Sequence, residues 1–189
     1  DRRSEIEIDY NRITTDFTGE FPLVAPPVMT SPITSLPEPV MAGGIERIVI
    51  GKSMERAPTE EYHLRNLSLS ENDFLLIAGP VVVIVDEGVK ISGNAQIKVA
   101  TNGSVTFYTP KNFEISGDGI VNETEVASRM KIIGTSAIEK GQALTLCDNA
   151  TLVAVAYFPN ALVSFSEYAN MCGTVIGHSI SATGNSSIH

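Results

Sequence analysis

Two short stretches, Ile91-Ser92-Gly93-Asn94 and Ile115-Ser116-Gly117-Asp118, decide how the rest of the chain reads. Each is an apolar residue, a hydroxyl, a small residue, then Asn or a substitute. The same phrase stands as Leu69-Ser70-Glu71-Asn72. It recurs loosely as Leu146-Cys147-Asp148-Asn149 and Phe165-Ser166-Glu167-Tyr168, and closes as Ala182-Thr183-Gly184-Asn185. Its fourth positions are separated by 17 to 31 residues. Between them lie strand-length alternations such as Ile97–Val99, Val105–Phe107 and Leu152–Val155. A period of two buries one side of a strand and leaves the other wet. No helical period is sustained over the length of a helix, so a helix-rich fold is disfavoured.

A strand–turn–strand unit of about 20 residues cannot bury its own apolar side, but copies stacked on one another can. Gly and Asn at a fixed place supply the positive-φ corner that turns the chain. The expected fold is all-β: a right-handed, single-stranded parallel β-helix of about six coils. Its hand follows the rule for parallel crossovers. An antiparallel sandwich also offers short strands and turns, but it has no need to repeat one turn phrase at one phase. The expected turn ladder comprises Asn72, Gly93, Asn94, Gly117, Asp118, Asn149, Gly184 and Asn185. The longest interval calls for an excursion, and the polar run from Asn122 to Arg129 supplies one.

Upstream, residues 22–39 hold six of the ten prolines. Proline fixes φ and lacks an N–H, so this stretch is neither helix nor central strand and should lie as an extended strap. The chain therefore divides into residues 1–45, an N-terminal segment and strap packing on the solenoid, and residues 46–189, the β-helix domain. Ile6, Ile8 and Tyr10 form a short alternation, Ile45–Ile50 reads as a strand, and Ala57–Leu64 as a helical turn. The apolar run Phe74–Val85, broken by Gly79-Pro80, is shorter than the roughly 20 residues a membrane helix needs and reads as core strands.

Composition bounds the function. A chain of 189 residues with 43% hydrophobic content fits one domain with a sizeable core. Its net charge is −9, and residues 141–189 contain no Lys or Arg, which argues against a nucleic-acid partner. Cys147 and Cys172 fall at different points of their repeats and read as two small apolar side chains rather than a disulfide. No positively charged, then apolar leader is legible at Asp1-Arg2-Arg3-Ser4.

The C-terminal half resembles a bacterial family. Ala156-Tyr157-Phe158-Pro159-Asn160-Ala161-Leu162-Val163, Gly173-Thr174-Val175-Ile176-Gly177-His178 and Gly184-Asn185-Ser186-Ser187-Ile188-His189 are similar to the β-helical domain of PilX-like type IV pilus assembly proteins. The likeness covers about residues 60–189. The chain departs from that pattern at Phe158, where Ala is usual, and at Cys147-Asp148 and Glu167-Tyr168, where Ser-Gly and Gly-Asn are usual. The resemblance implies a non-enzymatic structural or adhesive role. It also implies a cell-envelope or surface location, anchored by a segment ahead of Asp1, and partners among other envelope or pilus proteins. It carries over no catalytic residue.

Other chemistry has a plainer structural counterpart in this chain. A carbohydrate-active β-helix enzyme needs clustered acids, and Asp118 and Asp148 with Arg129 are the candidates; Asp as an Asn substitute in a turn is the simpler reading. Asp86-Glu87 and Glu123/Glu125 lack any calcium-loop pattern. His63, His178 and His189 share no ligand spacing, and no Gly-x-Ser-x-Gly elbow or phosphate loop occurs. Five Asn-x-Ser/Thr sequons, at Asn66, Asn102, Asn122, Asn149 and Asn185, matter only in a eukaryotic secretory path. The expectation is no catalytic residue, no cofactor and no metal. Tyr108, Tyr157 and Tyr168 are the candidate recognition residues for carbohydrate or protein, while Phe107, Phe158 and Phe165 read as core. A self-assembling, bactofilin-like scaffold joined through solenoid ends is the other alternative.

Overall fold

The computed structural model describes residues 21–28, 32–54, 57–117 and 119–189. Ile6, Ile8, Tyr10 and Asp118 lie outside the described residues. A short strand, β1 (Val40–Ala42), precedes a coil made of β2 (Ile45–Ile50), β3 (Glu60–Leu64) and β4 (Leu67–Leu69). The next coil is β5 (Phe74–Ile77), β6 (Pro80–Val85) and β7 (Val89–Ile91). Then come β8 (Gln96–Val99), β9 (Ser104–Thr109) and β10 (Phe113–Ser116), followed by β11 (Ile120–Asn122), β12 (Met130–Gly134) and β13 (Ala143–Cys147). Two long strands, β14 (Thr151–Phe165) and β15 (Asn170–Ala182), each run through most of a coil, and β16 (Ser187–Ile188) starts another.

Corresponding strands stack in parallel. β2, β5, β8 and β11 form a first face. β3, β6, β9, β12 and the middle of β14 form a second. β4, β7, β10, β13 and the end of β14 form a third. The molecule is an all-β parallel β-solenoid of about five turns. The count is below the expected six because six corners bound five complete turns. The one helical element among the described residues is a 3-10 turn at Ala127–Arg129.

The corner phrase sets the register residue for residue. Leu69 pairs with Ile91, Ile91 with Ile115, Ile115 with Leu146, Leu146 with Phe165, and Phe165 with Ala182. The second position explains its preference for a small donor. Ser116 Oγ donates to the carbonyl of Ile91 at 3.2 Å, and Thr183 Oγ1 to that of Phe165 at 3.5 Å. Among the described residues, five of the corners are closed by a β-turn hydrogen bond, such as Ala95 N–H to the Ser92 carbonyl at 3.3 Å and Ala150 N–H to that of Cys147 at 3.1 Å.

The left-handed residue of the corner is the third position at every level: Glu71, Gly93, Gly117, Asp148, Glu167 and Gly184 all have φ between 54° and 68°. In the last three corners the fourth residue, Asn149, Tyr168 or Asn185, is left-handed as well. Asn72 and Asn94 are not, so in those corners a single positive-φ residue turns the chain. Gly117 shows a second reason for Gly: a Cβ there would lie 2.9 Å from the carbonyl oxygen of Gly93 one coil away.

Inward columns make one continuous core. Leu67, Val89, Phe113, Leu144 and Val163 stack along the third face and are buried. Phe107 on the second face meets Phe113 edge-on, with ring centroids 5.5 Å apart. Phe107, Phe158 and Phe165 are all fully buried, as their alternation implies. Phe158 fits because its neighbours are glycines. It pairs with Gly177 on one side, and on the other a Cβ at Gly134 would come within 2.4 Å of its ring.

One local expectation is corrected. Ala57–Leu64 holds no helical turn; Glu60–Leu64 is strand β3, because pairing with β6 and burial of Leu64 outweigh local preference. Gly43-Gly44 is the two-residue turn of an antiparallel hairpin, β1 with β2, both glycines having positive φ. The longest interval carries two excursions, one at 123–129 as expected and a second at 135–142.

The two ends differ. At the N-terminal end β1 covers β2, and Thr34 N–H donates to the carbonyl of His63 in β3. At the other end β16 covers only Asn170 and Met171 of β15. The core positions Val175 and Ile180 are partly exposed there.

Gly134→Ala is expected to destabilise the fold by about 1–3 kcal/mol through overpacking against Phe158. Gly134→Ala combined with Phe158→Leu should recover part of that loss in thermal or urea unfolding.

Candidate functional site

The outward residues of the coils are the surface any partner meets. On the second face they form one column: His63, Ile84, Tyr108, Ile133, Tyr157 and Ile176 are paired in succession. Two of the expected recognition tyrosines, Tyr108 and Tyr157, therefore share a column, two coils apart. Both are half-buried. Tyr157 is covered by the strap: its ring meets Phe21 edge-on at 6.4 Å, and its hydroxyl donates to the carbonyl of Pro22 at 2.5 Å. Tyr168 is elsewhere, at a corner between the third and first faces. It is 60% exposed and left-handed, with φ 67°. Gly or Asn would take this left-handed position at lower steric cost, so a tyrosine at this exposed point stands out.

The corners also gather acids. Asp148 stands beside Glu167 of the next corner, and their hydrogen bond, then the like charge, raises the pKa of Glu167 above the usual carboxylate range. Burial, then the neighbouring Asp148, Glu167 and Glu114 carboxylates, push the Cys147 thiol up to about 11. A thiol held neutral in this way is a weak nucleophile. Cys147 and Cys172 are both free and only half-buried; Cys172 pairs with Val153 on the first face, away from the corner.

The remaining candidates are dispersed. Arg129 closes the excursion between the first and second faces, whereas Asp148 and Glu167 occupy corners between the third and first. His63 lies 3.0 Å from Asp86, His178 3.3 Å from Glu139, and Lys98 2.6 Å from Glu123. Among the described residues no group of three His, Cys, Asp or Glu has the geometry of a metal site. Near the N-terminal end, Glu60 accepts from Tyr62 Oη at 2.8 Å and pairs with Lys52 at 3.4 Å. Those contacts, the tyrosine first, hold its carboxyl below the usual range, while burial and Glu60 push Tyr62 up to about 12.

Sequence reading missed two buried polar side chains that organise the excursions. Asn122 continues the inward column Ile50–Ile77–Val99 and is 7% exposed. Its amide donates to the carbonyls of Val126 and Val153, and its oxygen accepts from Thr124. Gln142 donates to the carbonyls of Thr109 and Lys111 and accepts from Ser136 N–H. A polar residue at an apolar phase of the alternation was the available signal for Asn122.

These features define a parallel β-solenoid whose outward face is partly strapped and whose corners carry one exposed tyrosine. The chain belongs to the family described as Domain of unknown function (DUF7305), whose model matches residues 51–189. No curated protein and no solved structure matches it.

Tyr168→Asn should relieve the left-handed strain and raise stability by about 1 kcal/mol, read as a higher Tm. An unchanged Tm would mean that the corner does not strain the residue.

Proposed function

We propose that this chain is a non-enzymatic structural or adhesive element of the bacterial cell envelope, related to pilus assembly, with envelope proteins or carbohydrate as its partners. The observation that carries the reading is the corner bearing Tyr168, where an exposed aromatic is held left-handed on a rigid coil. A stacked solenoid offers such a residue a fixed position without mobile loops. The separation of Arg129 from Asp148 and Glu167, which share another edge, favours a surface role over a carbohydrate-cleaving one. The pilus context rests on the resemblance of residues 60–189 alone. Antibodies against the chain are expected to label intact cells of its source bacterium. Labelling that needs permeabilised cells would overturn the reading.

A scaffold that assembles through the open end is the second reading, favoured by one observation. Residues 170–189 contain no Asp, Glu, Lys or Arg, in a chain of net charge −9. Edge strands are ordinarily guarded by charge, and this one is not. Its expected sign is a sedimentation coefficient that rises with concentration and no longer rises in Ile180→Lys.

A further inference from the structure

We propose that the outward column of the second face is a docking groove for an aromatic–proline segment, and that the strap of a second copy is its exchange partner. The groove already holds such a segment from its own chain. Phe21 lies edge-on to Tyr157, and the Tyr157 hydroxyl donates to the Pro22 carbonyl. Prolines at 22, 26 and 27 pre-set the backbone of this segment, so seating it costs little conformational entropy. An aromatic ring with a hydroxyl donor is a general way to hold such a chain.

Leu36 packs against the core, and two described anchors of the strap fall on the same column. Thr34 is hydrogen-bonded to His63 at its head, and Phe21-Pro22 contact Tyr157 four strands further on. Four strand spacings amount to about 19 Å. The residues from Pro22 to Thr34 can span about 37 Å when extended as polyproline. The strap thus has length to spare, enough to reach a neighbour while Thr34 stays in place. Its surface stays largely open: Phe21 is 45% and Leu23 46% exposed, and of residues 21–28 only Val24 is half-buried. Lifting it uncovers Tyr157, next to Ile133 and Ile176 on the same column.

Charge favours a second copy as the occupant. Residues 21–28 contain no ionisable side chain, so the strap of one acidic chain enters the groove of another without bringing like charge to the contact. Within one chain the tether gives the strap an effective concentration in the millimolar range, so exchange belongs to crowded copies. This inference stands on packing alone and does not depend on the envelope reading.

The test titrates a labelled peptide of sequence Phe21–Val28 into the full chain, to about ten times the millimolar tether concentration. The Phe21→Ala chain, its own strap loosened, is expected to bind the peptide at least about tenfold more tightly than the unaltered chain. Adding Tyr157→Phe, which keeps the ring and removes the donor, should cost most of that gain, while Tyr168→Phe should cost none. Binding that ignores Tyr157→Phe, equal binding by both chains, or no binding over the whole range would overturn the groove. Sedimentation separates the occupant: concentrated unaltered chain should form a dimer that Phe21→Ala lacks. Peptide binding with a chain that stays monomeric would overturn the second copy.

Discussion

Main-chain hydrogen bonding between coils, in the register that sets Ile91 over Leu69 and Ile115 over Ile91, is the constraint from which the rest follows. A single coil is too thin to have an inside. Its apolar residues become core only when the same phase of the next coil lies above them, about 4.8 Å away. A slip of one residue would turn every inward side chain outward. The corners prevent that slip, because a left-handed third residue and a small side chain before it recur at each level, and among the described residues a turn hydrogen bond closes five of the six.

That rigid register has consequences for what lies outside it. Side chains on the outward columns are held at coil spacing, and an aromatic placed there becomes a fixed feature of the surface. Tyr108 and Tyr157 are lined up on one face, and Tyr157 is engaged by the strap. Tyr168 stands alone at a corner. The same stacking that fills the core also leaves two unlike ends, one covered by β1 and Thr34, the other with Val175 and Ile180 partly open.

Departures from the turn phrase show how much deviation the fold absorbs. Asp148, Glu167 and Tyr168 occupy left-handed positions that Gly and Asn would take at lower cost, and the acids add mutual repulsion. The third residue stays left-handed and the turn hydrogen bond still closes these corners, because the hydrogen bonds of the coils on either side over-determine them. Phe158 is a similar case in the core, admitted by Gly134 and Gly177 above and below it.

Much of the architecture was legible because a solenoid repeats: the phrase at Leu69, Ile91, Ile115, Leu146, Phe165 and Ala182 marks its own partners one coil away. The prolines likewise told that the strap joins no sheet, as holds for its described residues, 22–28 and 32–39. What the residues alone left open are contacts between segments far apart in the chain. Strand β3 forms because β6 lies beside it, and Asn122 turns inward because the Val153 carbonyl is waiting there. Tyr157 is paired with Phe21 across more than a hundred residues. Local sequence encodes periodicity and turns, which are short-range and steric. The choice of which distant surface covers which column depends on free energies of packing that exist only once the coils are stacked.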